Sequence, residues 1–244
     1  MKRLFDVSVA ALVLILLSPL LIAVSIAIWL QDRHSPFYIA DRVGRDLAPF
    51  RMVKFRSMVV NADKSGVDST GASDARITVV GRFVRKTKLD EVPQMWNVIK
   101  GEMSLVGPRP NVRREVDLYT VEERRLLSVR PGITDVASIV FADEGEILED
   151  KDDPDIAYNQ LIRPGKSRLG LFYIDHRSVR TDLQLLGLTV VNSLNRRKAL
   201  NSCASMLGRK GATEDLIRLA TRQDPLVPQP PPGSTEIVTS RAVS

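Results

Sequence analysis

The chain begins with a long apolar stretch. From Leu4 to Leu30 it reads LFDVSVAALVLILLSPLLIAVSIAIWL, with Asp6 as its one charged residue. A helix rises about 1.5 Å per residue, so roughly 27 residues reach about 40 Å, enough to cross a bilayer core. The run is too long for a signal peptide, and no small-x-small cleavage site follows it. The pattern therefore predicts a membrane anchor over residues 1–33.

A proline lies in the middle of this anchor, at Ser18-Pro19. Proline removes one helical hydrogen bond, so we expect a break there, and the serine hydroxyl can satisfy a carbonyl that the break frees. Basic residues flank both ends, with Lys2 and Arg3 before the stretch and Arg33 after it. The positive-inside rule therefore selects no orientation. The residues alone leave a spanning helix and a re-entrant helix-break-helix both open.

The pattern then changes from apolar to mixed. Strand-forming residues and a Gly44-Arg45-Asp46 turn predict a β-hairpin over Ser35 to Met58. Asn61 to Ala75 is polar and rich in glycine and serine, which predicts a loop. A helix with a basic opposite face is predicted next, because Val80, Phe83, Val84 and Thr87 recur at helical spacing.

The stretch KLDEVPQMWNVIKGEMSLVGPRP, Lys88 to Pro110, contains adjacent carboxylates at Asp90 and Glu91. A helix is predicted directly after them, ending at Gly101, because apolar residues recur at Val92, Met95, Trp96 and Ile99. In that setting Asp90 is a good N-cap, and Glu91 lies where the helix dipole favours negative charge. Such carboxylates can also act as nucleophiles or bind Mg²⁺. The spacing does not choose between these interpretations.

The remaining segments predict a mostly helical α+β protein. SLVGPRP indicates a short strand and turn. The further predictions are a helix over Glu115 to Leu127, a turn entering a strand over Arg130 to Val140, a solvated acidic loop over Asp143 to Asp155, a helix over Leu183 to Leu194 capped by Thr181 or Asp182, and a basic helix over Met206 to Thr221. The predicted divisions are the anchor at 1–33, a cytosolic domain at 34–200 that contains the adjacent carboxylates, and a C-terminal extension at 201–244 that ends in a disordered proline-rich tail.

The composition of the chain limits the chemical classes of partner that we expect. A formal net charge of +6 and a pI near 9.6 favour anionic partners such as phosphorylated ligands, an anionic membrane surface or nucleic acid. No aromatic stacking motif or recognition helix supports nucleic acid, so we predict none. Cys203 is the single cysteine, which excludes an internal disulfide and a cysteine-rich metal site. His34 and His176 match no metal motif.

The chain resembles the bacterial sugar transferase family, the monotopic polyprenyl-phosphate phosphoglycosyl transferases. The resemblance covers roughly residues 1 to 195. It rests on KRLFD from Lys2, the Ser18-Pro19 pair, DRVGRDLAPFRMVKFRSM from Asp41, RITVVGRFVRKTKLDEVPQMWNVIKGEMSLVGPRP from Arg76, and RPGIT from Arg130.

This resemblance implies a two-step reaction that uses Mg²⁺. Asp90 matches the family nucleophile, which attacks the sugar-linked phosphate of a UDP-sugar and expels UMP. Undecaprenyl phosphate then attacks the phosphosugar-aspartyl enzyme and receives the sugar phosphate. Glu91 matches the second carboxylate of the dyad, for metal binding or acid/base help, so both Asp90 and Glu91 are expected metal ligands. Such a reaction is the first membrane step in the assembly of O-antigen, capsule, exopolysaccharide or glycoprotein glycans.

The resemblance also implies where the substrates bind. Arg109 is the expected phosphate contact, followed by Arg42, Lys54 and Arg56. The family anchor is re-entrant at Ser18-Pro19 and is accompanied by amphipathic interface helices. These features imply contact with membrane lipids and a catalytic domain on the cytoplasmic face of the inner membrane. The oligomeric state is not determined, and a homodimer is left open.

One segment departs from the family pattern. Many members carry Gly-Trp-Ala-Gln or a similar sequence after PGIT, whereas this chain has Asp135, Val136, Ala137 and Ser138. The departure puts the nucleotide or sugar contacts of this loop in doubt and is typical of a different sugar preference. A non-enzymatic membrane scaffold is the alternative to a transferase, and the intact Asp90-Glu91 pair argues against it.

Overall fold

The computed structural model describes residues 2–62, 74–149 and 151–240. Over these ranges the fold is α+β and mostly helical, with two small sheets, which confirms the predicted fold class. The predicted loop at Asn61 to Ala75 lies mainly outside the described residues. The strands are β1 Phe37–Val43, β2 Pro49–Phe55, β3 Ser104–Val106 and β4 Gly132–Thr134. The helices are α1 Lys2–Asp32, α2 Val79–Lys86, α3 Met95–Lys100, α4 Arg113–Asp117, α5 Val136–Val140, α6 Glu144–Ile147, α7 Pro154–Ala157, α8 Arg163–Asp175, α9 Val179–Leu194, α10 Arg196–Arg209 and α11 Glu214–Thr221.

Helix α1 contains the whole apolar stretch and, among the described helices, is the one long and apolar enough to cross a membrane. It continues through Ser18 and Pro19, where the sequence predicts a break between two helices. The proline has no N–H to donate to the carbonyl of Ile15, four residues earlier. Ser18 Oγ donates to that same carbonyl oxygen at 2.8 Å. The serine therefore satisfies the acceptor that the proline leaves free, as the sequence predicts.

Both ends of α1 are fastened to the same domain. At the start, Arg3 donates to the carbonyl oxygens of Val98 and Ile99 at 2.5 and 2.8 Å, at the end of α3. At the other end, Arg56 donates to both carboxylate oxygens of Asp32, at 2.5 and 2.7 Å. The middle of the helix exposes large apolar side chains, including Leu12, Ile15, Leu16, Leu20 and Ile22. The central part of α1 is thus an apolar surface without protein cover, held at both ends.

The predicted β-hairpin is confirmed. Strands β1 and β2 pair antiparallel, with Phe37 opposite Phe55 and Val43 opposite Pro49. The chain then enters α2, where Thr78 accepts from the N–H of Gly81 as the N-cap. A Cβ atom at Gly81 would lie 1.9 Å from the carbonyl oxygen of Ser57, so only glycine allows this close approach.

The carboxylate pair lies in a short 3₁₀ helix, Leu89–Gln94, that leads directly into α3. Lys88 precedes this helix with a φ of 57° and occupies the N-cap position. Asp90 lies inside the 3₁₀ helix, so it is not the N-cap that the sequence pattern allows. The predicted apolar stripe is also wrong at Trp96, which is 54% exposed. The tight 3₁₀ turn rotates the helix, so that Asn97 and Val98 face the core instead.

Two glycines bring β3 against β4. A Cβ atom on Gly132 would lie 2.1 Å from the backbone nitrogen of Gly107, which no larger residue could tolerate. The two strands pair in parallel, with Ser104 opposite Gly132. Because the turn after β3 carries Arg109, this close contact fixes the arginine beside the end of β4.

The second half of the chain differs from the prediction at several boundaries. The expected strand to Val140 ends at Thr134 and continues as α5, because Asp135 accepts from the N–H of Ser138 and caps a helix. The helix expected over Glu115 to Leu127 is split into α4 and a 3₁₀ helix, Glu123–Ser128. Ser178, rather than Thr181 or Asp182, caps α9.

The acidic segment is not a plain solvated loop. It contains α6, and Leu148 within it is buried. Asp143 forms ion pairs with Arg196 at 2.8 Å and with Arg222 at 3.2 Å. Its negative charge is therefore used to hold the C-terminal helices against α5 and α6.

Helix α10 runs across the predicted division at residue 200, and its Cys203 and Leu207 belong to the main hydrophobic core. The basic helix expected over Met206 to Thr221 is two helices, α10 and α11. The sequence predicts the proline-rich segment to be disordered, but this segment contacts the domain at Pro232 and Val238. Thr120 Oγ1 donates to the carbonyl oxygen of Pro232 at 2.5 Å, and the Gln160 amide donates to that of Val238 at 2.7 Å.

Candidate active site

Three elements bring the candidate residues together. The 3₁₀ helix carries Asp90 and Glu91, β2 carries Lys54, and the turn after β3 carries Arg109. The amide of Asn97, on α3 directly after the 3₁₀ helix, joins α3 to β2, because it accepts from the N–H of Val53 at 3.0 Å and donates to the carbonyl oxygen of Arg51 at 2.7 Å. The residue beside Val53 is Lys54, so this clamp holds the lysine next to the carboxylates.

Glu91 is the centre of an ion-pair cluster. Arg109 donates to both of its carboxylate oxygens, at 2.7 and 3.1 Å, and Lys54 Nζ lies 3.9 Å from Oε1. Burial alone would raise the pKa of Glu91, but the charges of Arg109 and Lys54 outweigh it and lower the pKa to about 2. Glu91 is therefore ionised at neutral pH and is a weak proton acceptor.

Asp90 has the opposite environment. Its Oδ1 atom is buried and has no hydrogen-bond partner among the described residues. Burial, followed by the neighbouring negative charge of Glu91, raises the pKa of Asp90 above its ordinary value. Lys54, Lys88 and Arg85 act against that rise. A desolvated carboxylate oxygen without donors is a better nucleophile than one that is hydrogen-bonded and paired.

Lys54 is the cation of the cluster whose pKa lies closest to neutral pH. Burial lowers its pKa to about 8, with Arg109 and Arg42 adding to the decrease and Glu91 and Asp90 opposing it. Arg42 lies on β1 and donates to the carbonyl oxygen of Asp41 at 2.9 Å. The expected phosphate-binding residues Lys54, Arg42 and Arg109 are therefore electrostatic neighbours.

Arg109 is positioned by β4 and by the 3₁₀ helix that carries Glu91. One Nη1 N–H donates to the carbonyl oxygen of Ile133 at 2.8 Å, while Glu91 accepts the bidentate pair. Burial by itself would lower the pKa of Arg109, but the charge and hydrogen bonds of Glu91 raise it. A guanidinium has five N–H groups, so these three bonds leave two N–H groups for an incoming anion.

Arg56 is not brought into this cluster. Its guanidinium donates to Asp32, as described above, and its Nε donates to the carbonyl oxygen of Ser35 at 2.8 Å. Arg56 is buried and holds the end of α1 to β2. We therefore leave Arg56 out of the proposed phosphate site, although the sequence predicts it there.

The geometry tests the expected Mg²⁺ ligands individually. In the part of the chain that is described, no group of three or more His, Cys, Asp or Glu side chains could hold a metal. Both oxygens of Glu91 are already engaged by Arg109, whereas Asp90 Oδ1 is without a partner. Mg²⁺ is commonly bound by one or two carboxylates together with substrate phosphates and water. Asp90 fits that pattern, and Glu91 does not.

Two functional contributions are missed by the pattern along the chain. The apolar spacing of the helix gives Asn97 no role, although its buried amide holds β2 against α3, directly after the carboxylates. Lys88, with its left-handed backbone, partly opposes by its charge the rise in the pKa of Asp90. A buried asparagine between apolar helix positions is a signal for such a clamp, but its partner on β2 cannot be read from spacing.

Comparisons with known proteins identify the family to which the chain belongs. A sequence model described as "Bacterial sugar transferase" matches residues 1–196. The chain is 39% identical over 142 residues to a UDP-N-acetylgalactosamine-undecaprenyl-phosphate N-acetylgalactosaminephosphotransferase from Aeromonas hydrophila, which is 57% of this chain and 34% of that protein. It is 36% identical over 202 residues to a UDP-glucose:undecaprenyl-phosphate glucose-1-phosphate transferase from Klebsiella pneumoniae, which is 81% of this chain and 41% of that protein.

A third relative is closer to this chain in length. It is the uncharacterized sugar transferase EpsL from Bacillus subtilis, 36% identical over 191 residues, which cover 78% of this chain and 85% of that protein. In contrast, the chain spans well under half of the length of the Aeromonas and Klebsiella proteins.

Proposed function

Because the chain belongs to the bacterial sugar transferase family, we propose that it transfers a sugar-1-phosphate from a UDP-sugar to undecaprenyl phosphate and releases UMP. Relatives named for such transfers support the substrate class. The observation that carries the proposal is the buried, partnerless Asp90 Oδ1 beside the Arg109–Glu91–Lys54 cluster. The product would be the first lipid-linked intermediate of a bacterial polysaccharide or glycoprotein glycan.

In the first step, an Asp90 carboxylate oxygen attacks the sugar-linked phosphorus of the donor. A phosphorus–oxygen bond forms to Asp90 while the bond to UMP breaks, and UMP leaves with the electron pair. The raised pKa of Asp90 supports this assignment, because a higher pKa accompanies a more nucleophilic carboxylate. The product of this step is a phosphosugar-aspartyl enzyme.

In the second step, a phosphate oxygen of undecaprenyl phosphate attacks the same phosphorus. The bond to Asp90 breaks, the carboxylate is regenerated, and the lipid diphosphate sugar is released. Both substrates are anions that present phosphate, so one basic pocket can serve them in turn.

Glu91 acts as a positioning residue in this proposal. Its pKa of about 2 makes it unsuited to proton transfer, and its two oxygens hold Arg109. Arg109 and Lys54 then stabilise the charge on the transferring phosphoryl group, since fixed cations cost no reorganisation at the moment of reaction. Mg²⁺, brought with the donor diphosphate and held through Asp90, would supply further neutralisation of phosphate charge.

Release of UMP tests the function directly. Purified protein with undecaprenyl phosphate should release UMP from at least one member of a panel of UDP-sugars. The pH profile of this rate should fall on the alkaline side near pH 8, because Lys54 loses its charge as the pH rises through its pKa of about 8. It should fall on the acid side above the ordinary carboxyl range, since Asp90 must be ionised to attack.

The Lys54→Arg variant is the control for the alkaline limb. Arginine stays charged throughout the range, so the decline near pH 8 should disappear or move to higher pH. An unchanged alkaline limb in this variant would rule out Lys54 as its source. No UMP release with any donor would instead favour a non-enzymatic membrane scaffold.

We further propose that α1 is a re-entrant anchor in the cytoplasmic membrane, with the domain on the cytoplasmic face. A straight helix of 31 residues would be about 46 Å long. Its two ends nevertheless contact the same domain, through Arg3 and Asp32, while its apolar middle is exposed. The exposed Val79 and Phe83 on α2, beside Arg82 and other basic residues, support an interfacial position for that helix as well.

Thiol labelling in oriented vesicles tests this topology. A cysteine added ahead of Met1 and the Ser35→Cys variant mark the two ends of α1, and Ser205→Cys marks the domain. The native Cys203 is buried and should contribute little background. All three sites should react with a membrane-impermeant reagent from the same side. Labelling of the two ends of α1 from opposite sides would mean that the helix spans the membrane.

A further inference from the structure

A small cavity is lined in part by Arg109. It has a volume of about 50 Å³ and includes Arg109, Asp135, Ser138, Tyr158 and Lys166 in its lining. The transfer reaction as described above uses only Arg109 of this group. The other polar groups of the cavity have no assigned role.

Asp135 is the main acidic group of the cavity. It is buried, and its Oδ1 accepts from both the backbone N–H and the Oγ hydroxyl of Ser138, each at 2.6 Å. Burial raises the pKa of Asp135, while those hydrogen bonds and the charges of Arg109 and Lys166 oppose the increase. Capping a helix requires a single oxygen acceptor, which serine or asparagine would supply without a buried charge.

The walls of the cavity are held in place before any ligand binds. Arg163 donates to both oxygens of the fully buried Glu123, at 3.0 and 2.5 Å, and stacks over the Tyr119 ring at 5.5 Å. Lys166 pairs with Glu144 and lies 5.2 Å from the centre of the Tyr158 ring. These contacts make a preorganised polar pocket, which binds a ligand without a large ordering cost.

The size of the cavity limits its occupant. A water molecule needs about 10–15 Å³ of such volume, so the cavity has room for roughly three to five waters. It can therefore take a substituent of a ligand but not a complete sugar or base ring. Because the cavity shares Arg109 with the phosphate site, the ligand that reaches it is the donor bound there.

The chemistry of the lining selects the kind of substituent. A carboxylate oxygen accepts hydrogen bonds, and the charges of Arg109 and Lys166 favour the ionised form of Asp135 against the effect of burial. Sugar hydroxyls donate readily to such a group. The hydrogen-bonding edge of uracil presents two carbonyl acceptors and one N–H, so it matches a carboxylate less well. The cavity is thus suited to the sugar end of the donor.

We propose that Asp135, oriented by Ser138, determines donor specificity by accepting a hydrogen bond from a hydroxyl group of the donor sugar. This inference rests on the proposed function and adds a sugar-recognition residue to it. Asp135 would contact the substrate away from the reacting phosphorus.

The test compares the wild-type protein with Asp135→Asn on a panel of UDP-sugars that includes epimers and deoxy analogues of the preferred donor. Asparagine keeps the size and the helix cap, so the melting temperature should stay close to that of the wild type. A site that hydrogen-bonds a hydroxyl rejects analogues that lack it. The ratio of kcat/KM between the preferred donor and its deoxy analogue should therefore decrease in the variant, by about tenfold or more.

Inhibition by UMP distinguishes the two ends of the donor. Its inhibition constant should be unchanged in Asp135→Asn, because UMP carries no donor sugar. An equal loss of UMP affinity would overturn the inference in favour of nucleoside recognition, and unchanged donor ratios in an active variant would overturn it outright. Absence of UMP release by the wild-type protein with every donor would overturn the proposed function, and the inference with it.

Discussion

The Asp90→Asn variant should lose UMP release by at least about a thousandfold, because removal of a covalent nucleophile leaves only binding and electrostatic stabilisation. Asparagine has nearly the same shape, but its amide oxygen is a far weaker nucleophile and carries no charge. The loss should appear in kcat, with the affinity for the donor changed much less. Initial rates of UMP release, together with donor binding measured on the inactive variant, would separate the two effects.

Asp117→Asn is the matched control. Asp117 is an exposed carboxylate that accepts from Arg113 at 2.8 Å, one turn away on α4. The same chemical change at this position should leave the rate within about twofold, as expected for a surface ion pair. An Asp90→Asn protein that is folded and retains most of its activity would exclude nucleophilic attack by Asp90.

The Arg109→Ala variant should lose about a hundredfold to a thousandfold in kcat, the range found when one preorganised charge-stabilising donor is removed from an active site. The substitution removes the phosphate contact and also leaves Glu91 with Lys54 as its remaining cation of the cluster. The pKa of Glu91 should consequently rise from about 2. Arg109→Lys should restore only part of the activity, since lysine cannot form the bidentate contact.

Arg113→Ala is the control for Arg109→Ala, because it removes another arginine only four positions further along the chain. Arg113 is largely exposed, so its removal should change the rate little. Melting temperatures of both variants should be measured alongside the rates. If Arg109→Ala folds normally and works at the wild-type rate, the arginine does not contact the transferring phosphate.

The depth of the active site follows from the attachment of α1. Arg3 binds the end of α3, which directly follows the 3₁₀ helix that carries Glu91. Arg56, which binds the end of α1, directly follows β2, the strand that carries Lys54. The contacts that hold the anchor are thus made next to the two elements that supply Glu91 and Lys54. In the proposed function, this arrangement places the reaction at the membrane surface, where the lipid phosphate lies.

The hairpin and the anchor could be predicted from the sequence because their patterns are local. Alternating and β-branched residues at Phe37 to Val43, with a turn directly after them, are sufficient to indicate the hairpin. Helix α1 is predicted by length and hydropathy alone. The continuity through Pro19 was not predicted, since it depends on how Ser18 and the neighbouring turn accommodate the missing N–H.

The carboxylate site could be predicted only in part. Asp90 and Glu91 are adjacent, so the sequence identifies the pair, but it gives them equal status. Burial raises the pKa of Asp90, whereas at Glu91 the surrounding positive charges, chiefly that of Arg109, outweigh burial and lower the pKa. Arg109 lies 18 residues after Glu91 in the chain and is placed beside it by the β3–β4 contact. The pairing of Arg56 with Asp32 could not be predicted for the same reason, because the fold brings the two residues together.

The C-terminal region was the least predictable. Its helices are weakly amphipathic by spacing, yet Cys203 and Leu207 fill the main core, and Asp143 is paired with two arginines from beyond α9. Proline-rich composition favours disorder, but residues such as Pro232 and Val238 offer backbone carbonyls to Thr120 and Gln160. Tertiary contacts of this kind leave no periodic signal along the chain.

Mass spectrometry of the protein after rapid acid quench of a reaction with its UDP-sugar tests the central claim most directly. In the absence of undecaprenyl phosphate, a species heavier by one sugar phosphate should accumulate, peptide mapping should place it on Asp90, and addition of the lipid phosphate should discharge it. If a verified donor is turned over while no such species forms at any quench time, Asp90 does not become bonded to phosphorus, and the proposed mechanism is wrong.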